Sequence, residues 1–215
     1  AKISWKDIGV LEIEGVEKLH GAEYKLNPDD LEVSGFAALA AATKSEILLR
    51  GIDFRYIDAI LMQLAKMGVW YERRDENLLI KKPSNGYKAF RLQSGLYPKL
   101  MSDHLPPFSV LATQASGTSM IHEWLYEGRL KYIEELAKMG AKTKILDPHR
   151  ALIIGPTKLK GANMISYDIR AGLVVVIAAL VAEGETRISG IEHIERGYEY
   201  FEERLQKLGA DIKRI

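Results

Sequence analysis

Four side chains in this sequence combine charge with placement in a way that suits an anionic substrate. They are Asp103 in YPKLMSDHLPP, Arg129 in YEGRL, Arg170 in YDIRAG and Arg196 in HIERGYE. Each arginine lies near a predicted helix N-terminus, where the helix dipole disfavours a cation by roughly 0.3–1 kcal/mol. The free N–H groups at such an end welcome an anion instead. A guanidinium beside them can grip a carboxylate or phosphate through two parallel hydrogen bonds. Read as ordinary surface, the same arginines would pair with Glu127, Asp168 or Glu195. Arg55 has a comparable place and reads as surface. Asp30, Asp103 and Asp168 each open an apolar helix, and N-capping accounts for a carboxylate there. Capping suffices for Asp30. For Asp103 the alternative is a site, because its proline-rich, aperiodic surroundings read as a shaped loop feeding a helix.

Competing chemistry is sparse. Cysteine is absent, which removes disulfides, thiolate nucleophiles and Cys-based metal sites. His20, His104, His122, His149 and His193 are scattered, with no pair at metal-ligand spacing, so no metal site is expected. His104 reads as a loop hydrogen-bonder beside Asp103. The segment GPTKLKG lacks the spacing of a phosphate-binding glycine loop.

The elements that must position these residues repeat. AILMQLAKMG, YIEELAKMG and FEERLQKLG close on Gly68, Gly140 and Gly209, about 70 residues apart. Each is preceded by a helix that is apolar nearly all round and must therefore be covered on every side. The repeats span about 11–82, 83–156 and 157–215, and each reads as strand, apolar helix, strand, amphipathic helix, strand, strand. The closing glycines stand where a helix end needs a left-handed residue. VWYER, AKTKI and ADIKRI, which follow them, read as strands. The expected fold is α/β (α+β): one domain over 1–215, with outward-facing sheets around buried helices. AKIS at the start resembles AKTK after Gly140 and ADIK after Gly209, and the last repeat has no counterpart of LLIKK or ALIIG. An upstream segment is therefore expected.

Composition limits the remaining choices. The chain has 215 residues, 47% of them hydrophobic, which is enough for a full core. A net charge of +1 gives no reason to expect nucleic acid or a membrane surface as partner. The longest apolar run, AGLVVVIAALVA, is shorter than the roughly 20 residues of a membrane span.

Five stretches carry a family resemblance: LEIEGVEKLHGAEYKLNPDDLE, YPKLMSDHLPPF, HEWLYEGRLKYIEELAKMGA, KLKGANMISYDIRAGLVVVIAALVAEGET and EHIERGYEYFEERLQKLGADI. In this order they resemble the C-terminal half of the UDP-N-acetylglucosamine 1-carboxyvinyltransferases, enolpyruvyl transferases of peptidoglycan synthesis. The resemblance implies an inside-out α/β barrel domain of three repeated units, with ligand held between two such domains in the cytoplasm. It implies Asp103 as the general base at the sugar 3-hydroxyl and Leu125 as a backbone contact to the nucleotide sugar. Arg129, Arg170 and Arg196 would surround phosphoenolpyruvate, with Glu127 and Asp168 in support. No cofactor is implied. The family's general acid and most uridine contacts belong to an N-terminal half absent from these residues. MSD stands where the family usually has PTD, and YEGR, with Gly128, where FENR is common. Two other readings stay open: a non-catalytic domain binding a nucleotide sugar or a protein, and a homodimer in which copies cover each other's cleft.

Overall fold

A computed structural model describes residues 1–215. The chain opens with an antiparallel hairpin, β1 (Lys2–Asp7) and β2 (Val10–Glu14), and runs without regular structure to Asp29. The first unit comprises α1 (Asp30–Ala42), β3 (Ile47–Arg50), α2 (Asp58–Met67), β4 (Tyr71–Arg74) and β5 (Asn77–Ile80). The second comprises β6 (Tyr87–Lys88), β7 (Arg91–Gln93), a 3-10 turn Ser102–His104, α3 (Leu105–Gln114), β8 (Ala115–His122), α4 (Tyr132–Lys138), β9 (Lys142–Asp147) and β10 (Arg150–Gly155). The third comprises β11 (Asn163–Ile165), α5 (Ile169–Val181), β12 (Arg187–Ser189), α6 (Glu192–Glu195) and α7 (Phe201–Lys207).

The three apolar helices α1, α3 and α5 pack on one another and supply most of the core, and the sheets lie at the periphery. Alanine and leucine favour α1 intrinsically. The β-branched run in α5 would suit a strand equally well, and its helix depends on a cap and on burial. Asp168 provides that cap, accepting from Arg170 N at 2.8 Å and Ala171 N at 2.9 Å. The α1–α5 crossing is close because residue 35 is glycine: a Cβ there would stand 2.5 Å from Leu173 Cδ2. Gly68, Gly140 and Gly209 have φ of +81°, +89° and +94°, as the helix ends require.

In the first unit β5 pairs antiparallel with both β3 and β4. In the second β10 lies antiparallel between β8 and β9, while β6 and β7 pair parallel to β8. In the third β12 pairs only with β11.

Several sequence expectations are corrected. The N-cap of α1 is Asp29, whose carboxylate accepts from Leu31 N, and Asp30 lies in the first turn. The first unit has no opening strand of its own, since β2 pairs with β1 in the separate hairpin. ADIKRI is not a strand. The segment after Gly209 has no neighbouring strand to take up its backbone hydrogen bonds, whereas β4 and β9 have β5 and β10.

The opening hairpin duplicates the hairpin of β9 and β10. Residues 1–15 align with 141–155 without a gap, and the registers coincide. Ile3 faces Ile13 as Thr143 faces Ile153, and Trp5 faces Leu11 as Ile145 faces Ala151. Ala151 and Ile153 are buried against the core, but their counterparts Leu11 and Ile13 are 45% and 59% exposed. The apolar face of this hairpin is thus bare.

Candidate functional site

The site forms where the N-terminal end of α5 meets the turn before α3 and the loop before α4. The turn Ser102–His104 is fixed from two sides. Pro106 and Pro107 occupy the first turn of α3, where missing N–H groups cost little. His104 is buried and ties the turn to α1: its Nδ1 lies 3.0 Å from Ser34 Oγ and its Nε2 3.5 Å from Asp30. Hydrogen bonding to His104 lowers the Asp30 pKa against the opposing effect of burial. This rigid turn aims the Asp103 carboxylate at two arginines.

Arg129 Nη1 donates to Asp103 Oδ1 at 2.9 Å, and Arg170 Nη2 donates to Asp103 Oδ2 at 2.5 Å. Arg170 Nε also lies against Oδ1 as an ion pair, without the alignment of a hydrogen bond. All three side chains are between a quarter and a third exposed. The charges are therefore partly sheltered from water but reachable from it. Burial raises the Asp103 pKa, but hydrogen bonding and charge from Arg170, then from Arg129, outweigh it and leave the carboxyl below its usual value. The Arg129 guanidinium stacks on the Tyr126 ring, 4.0 Å from its centroid, which fixes its plane.

The sequence-predicted residues divide into two sets. Asp103, Arg129 and Arg170 meet. Asp103 makes no capping hydrogen bond, so the capping alternative falls for it. Asp168 is immediately behind Arg170, as the cap of α5. Leu125 is half-buried on the loop before α4, its N donating to Glu123 Oε1 at 2.9 Å. Glu127 is directed to solvent, with only His149 at 3.8 Å. Arg196 is exposed and makes no ion pair or hydrogen bond to the cluster. It caps the C-terminus of α6, where a cation is favourable, and not a helix N-terminus as the sequence suggests. Its neighbour Gly197 abuts Ile169 at the start of α5: a Cβ there would lie 2.6 Å from Ile169 Cγ2. Gly197 thus seats against the start of α5, while Arg196 itself stays outside the cluster. Arg55 is bound to Asp53 on the surface.

Sequence reasoning missed Ser94, Ser102 and Glu123. Ser102 Oγ accepts from Arg129 Nη1 at 3.0 Å and donates to Glu123 Oε2 at 2.5 Å. Its position beside Asp103 was the available signal. Glu123 gives a weaker one: a charged residue directly after an otherwise uncharged strand, two before Leu125.

What this arrangement can do is hold an anion. Two guanidinium groups from separate elements converge on one point, and the single Asp103 carboxylate balances only one of their two charges. A concavity of about 420 Å³ lies elsewhere, between α1, β3 and α7, and includes Val33, Phe36 and Arg204. No helix is long and apolar enough to cross a membrane.

Comparison with known proteins shows the family and the fold. The family model for EPSP synthase (3-phosphoshikimate 1-carboxyvinyltransferase) matches residues 1–205. UDP-N-acetylglucosamine 1-carboxyvinyltransferase of Bacteroides thetaiotaomicron is 38% identical over 229 residues, covering 100% of this chain and 52% of that protein. The enzyme of the same name from Porphyromonas gingivalis is 39% identical over 217 residues, covering 96% and 50%. The chain thus spans about half the length of these relatives. Among solved structures, the enolpyruvyl transferase NikO from Streptomyces tendae superposes with a TM-score of 0.80 at 26% identity, over 87% of this chain and 44% of its own. An EPSP synthase from Acinetobacter baumannii shares the fold, with a TM-score of 0.64 at 19% identity over 83% of this chain and 45% of that one.

Proposed function

This chain belongs to the EPSP synthase family of enolpyruvyl transferases, and from that premise we propose that it supplies one half of a UDP-N-acetylglucosamine 1-carboxyvinyltransferase site. The observation that carries the reading is the convergence of Arg129 and Arg170 on Asp103. The names and 38–39% identities of the relatives support the choice of substrates, UDP-N-acetylglucosamine and phosphoenolpyruvate. The companion is a second domain of similar size, as the half coverage suggests, and the pair forms an inside-out barrel enzyme of the cytoplasm.

In this reading Arg129 and Arg170 take the phosphate and carboxylate of phosphoenolpyruvate, and Arg196 closes over them from outside the cluster. Moving both guanidinium groups onto the ligand releases Asp103. Its pKa then rises from its depressed value, because burial is no longer opposed. The freed carboxylate accepts the proton of the sugar 3-hydroxyl as the oxygen attacks C2 of phosphoenolpyruvate. C3 gains a proton from the companion half, giving a tetrahedral intermediate that still carries phosphate. Loss of a proton from C3 and of inorganic phosphate then restores the double bond. A positioned base typically contributes about 10²–10⁴-fold, and fixed cations in a closed, dry cleft a further large factor. Leu125 presents backbone to the sugar, Asp168 holds the α5 terminus in place, and Glu127 awaits a partner in the closed form.

Phosphate release from the two substrates, measured with this chain alone, with the complementary half alone and with both, tests the proposal. Turnover should appear only on mixing. Full turnover by this chain alone refutes the half-site reading. No turnover on mixing, with phosphoenolpyruvate heat unaffected by Arg196→Ala, favours the non-catalytic binding domain. Sedimentation equilibrium distinguishes the homodimer by mass.

A further inference from the structure

Glu123 is 2% exposed and has no cation within salt-bridge distance. A buried carboxylate without a counter-charge is costly unless its lone pairs are filled. Here four donors fill them. Oε1 accepts from Ser94 Oγ at 2.9 Å, Leu125 N at 2.9 Å and Tyr126 N at 3.3 Å. Oε2 accepts from Ser102 Oγ alone, at 2.5 Å. Ser94 Oγ in turn accepts from Trp124 N, and the Glu123 carbonyl is 2.8 Å from His149 Nδ1. One side chain therefore joins the end of β7, the turn carrying Asp103 and the loop carrying Leu125 and Arg129.

The division of labour between the two oxygens has a chemical consequence. Because Oε2 only accepts, the single Ser102 proton must point at it. The Ser102 lone pairs are left facing Arg129 Nη1. We infer that Glu123 is a positioning residue: by fixing the direction of the Ser102 hydroxyl it orients Arg129, and through Arg129 the Asp103 carboxylate. The inference deepens the enolpyruvyl transfer reading and rests on it only for the meaning of the cluster.

Glu123→Gln isolates the effect, since it is nearly isosteric. Its amide oxygen can keep the three donors at the Oε1 position, while its NH₂ faces Ser102. That NH₂ donates to Ser102 Oγ, so the hydroxyl proton loses its acceptor on residue 123 and is free to turn toward Arg129, which weakens the attraction. Carbon-13 NMR titration of Asp103 in the intact chain reads the outcome without substrate. Glu123→Gln and Ser102→Ala should both move the Asp103 titration up toward the ordinary carboxylate range, and the double variant no further than the larger single change. Ser102→Thr, which keeps the hydroxyl, should titrate as the parent does. Phosphoenolpyruvate binding to the chain mixed with its complementary half should weaken about tenfold in Glu123→Gln, as for loss of one oriented contact, and stay unchanged in Ser102→Thr. An unmoved Asp103 titration in Glu123→Gln overturns the inference. If that variant does not fold, an unmoved titration in Ser102→Ala overturns it, and so does a Ser102→Thr titration displaced as far as that of Ser102→Ala. Absence of phosphoenolpyruvate binding by the parent mixture defeats the functional reading and leaves the Asp103 titration to decide this one.

Discussion

Replacing Asp103 by Asn should destabilise the free chain and create a binding site for inorganic phosphate. In the parent, Asp103 is the anion that Arg129 and Arg170 hold. Two unit charges 4 Å apart attract by about 4 kcal/mol at an effective dielectric constant near 20. Desolvation and side-chain ordering offset most of this. Exposed pairs retain at most about 1 kcal/mol, and breaking a fully buried pair costs about 3–5 kcal/mol. These groups are 27–33% exposed, between the two limits. Asn keeps one acceptor for one arginine, so the net loss should be about 1–3 kcal/mol, or about 2–12 °C in Tm for a chain of this size. The native Asp103 pKa lies below the ordinary 3.8, so the ionised form is the stabilising one. The advantage over Asn is therefore fully present above that value and is lost as pH falls through the native pKa. Thermal melts at neutral pH and under progressive acidification read both effects. Phosphate should then restore stability in Asp103→Asn, by about 2.7 kcal/mol at a hundredfold excess over Kd. It should do so more than in the parent, where Asp103 competes for the same guanidinium groups. Chloride at equal ionic strength controls for screening. A variant as stable as the parent at neutral pH, or one that phosphate stabilises no more than the parent, refutes the reasoning.

Further outcomes follow from the geometry. Asp168→Ala removes the cap of α5 and should cost about 1 kcal/mol in denaturant unfolding, while Asp168→Ser, itself a capping residue, should recover most of it. His104→Leu removes the contacts with Ser34 Oγ and Asp30 while Ser34 keeps its bond to Leu31 O, and urea denaturation should show a loss of about 0.5–1.5 kcal/mol. Leu11→Asp with Ile13→Asp alters a bare hairpin face, so Tm should change by no more than the shift that about 0.5 kcal/mol produces. The same pair should abolish turnover on mixing with the complementary half, measured as phosphate release, if that face packs as Ala151 and Ile153 do in their own unit.

The helices and their ends were legible because their marks are local. A closing glycine, a stripe such as Ile60, Leu61, Leu64 and Met67, and an all-apolar helix are visible within one stretch of chain. The Asp168 cap was legible for the same reason, since its partners are two and three residues away. What depended on distant chain was not derivable from pattern alone. Asp103 and Arg170 are 67 positions apart, and only the packing of α3 against α5 brings them together. Charge and placement near helix ends singled them out as candidates, and their roles rested on the family resemblance. Arg196 was misplaced at a helix start because α6 is a short turn that no periodicity marks. ADIKRI carries a strand pattern, but a strand exists only with a hydrogen-bonded neighbour, and no local signal reports whether one is present. Glu123 was passed over because the donors that make a buried carboxylate tolerable come from three separate segments.

The central claim is that Arg129 and Arg170 form the anion-holding wall of an enolpyruvyl transferase half. Calorimetric titration of phosphoenolpyruvate into this chain mixed with its complementary half tests it most directly. Binding should weaken at least about tenfold in Arg129→Ala and in Arg170→Ala, each losing a charge-assisted contact. Affinities equal to that of the parent in both variants would contradict it.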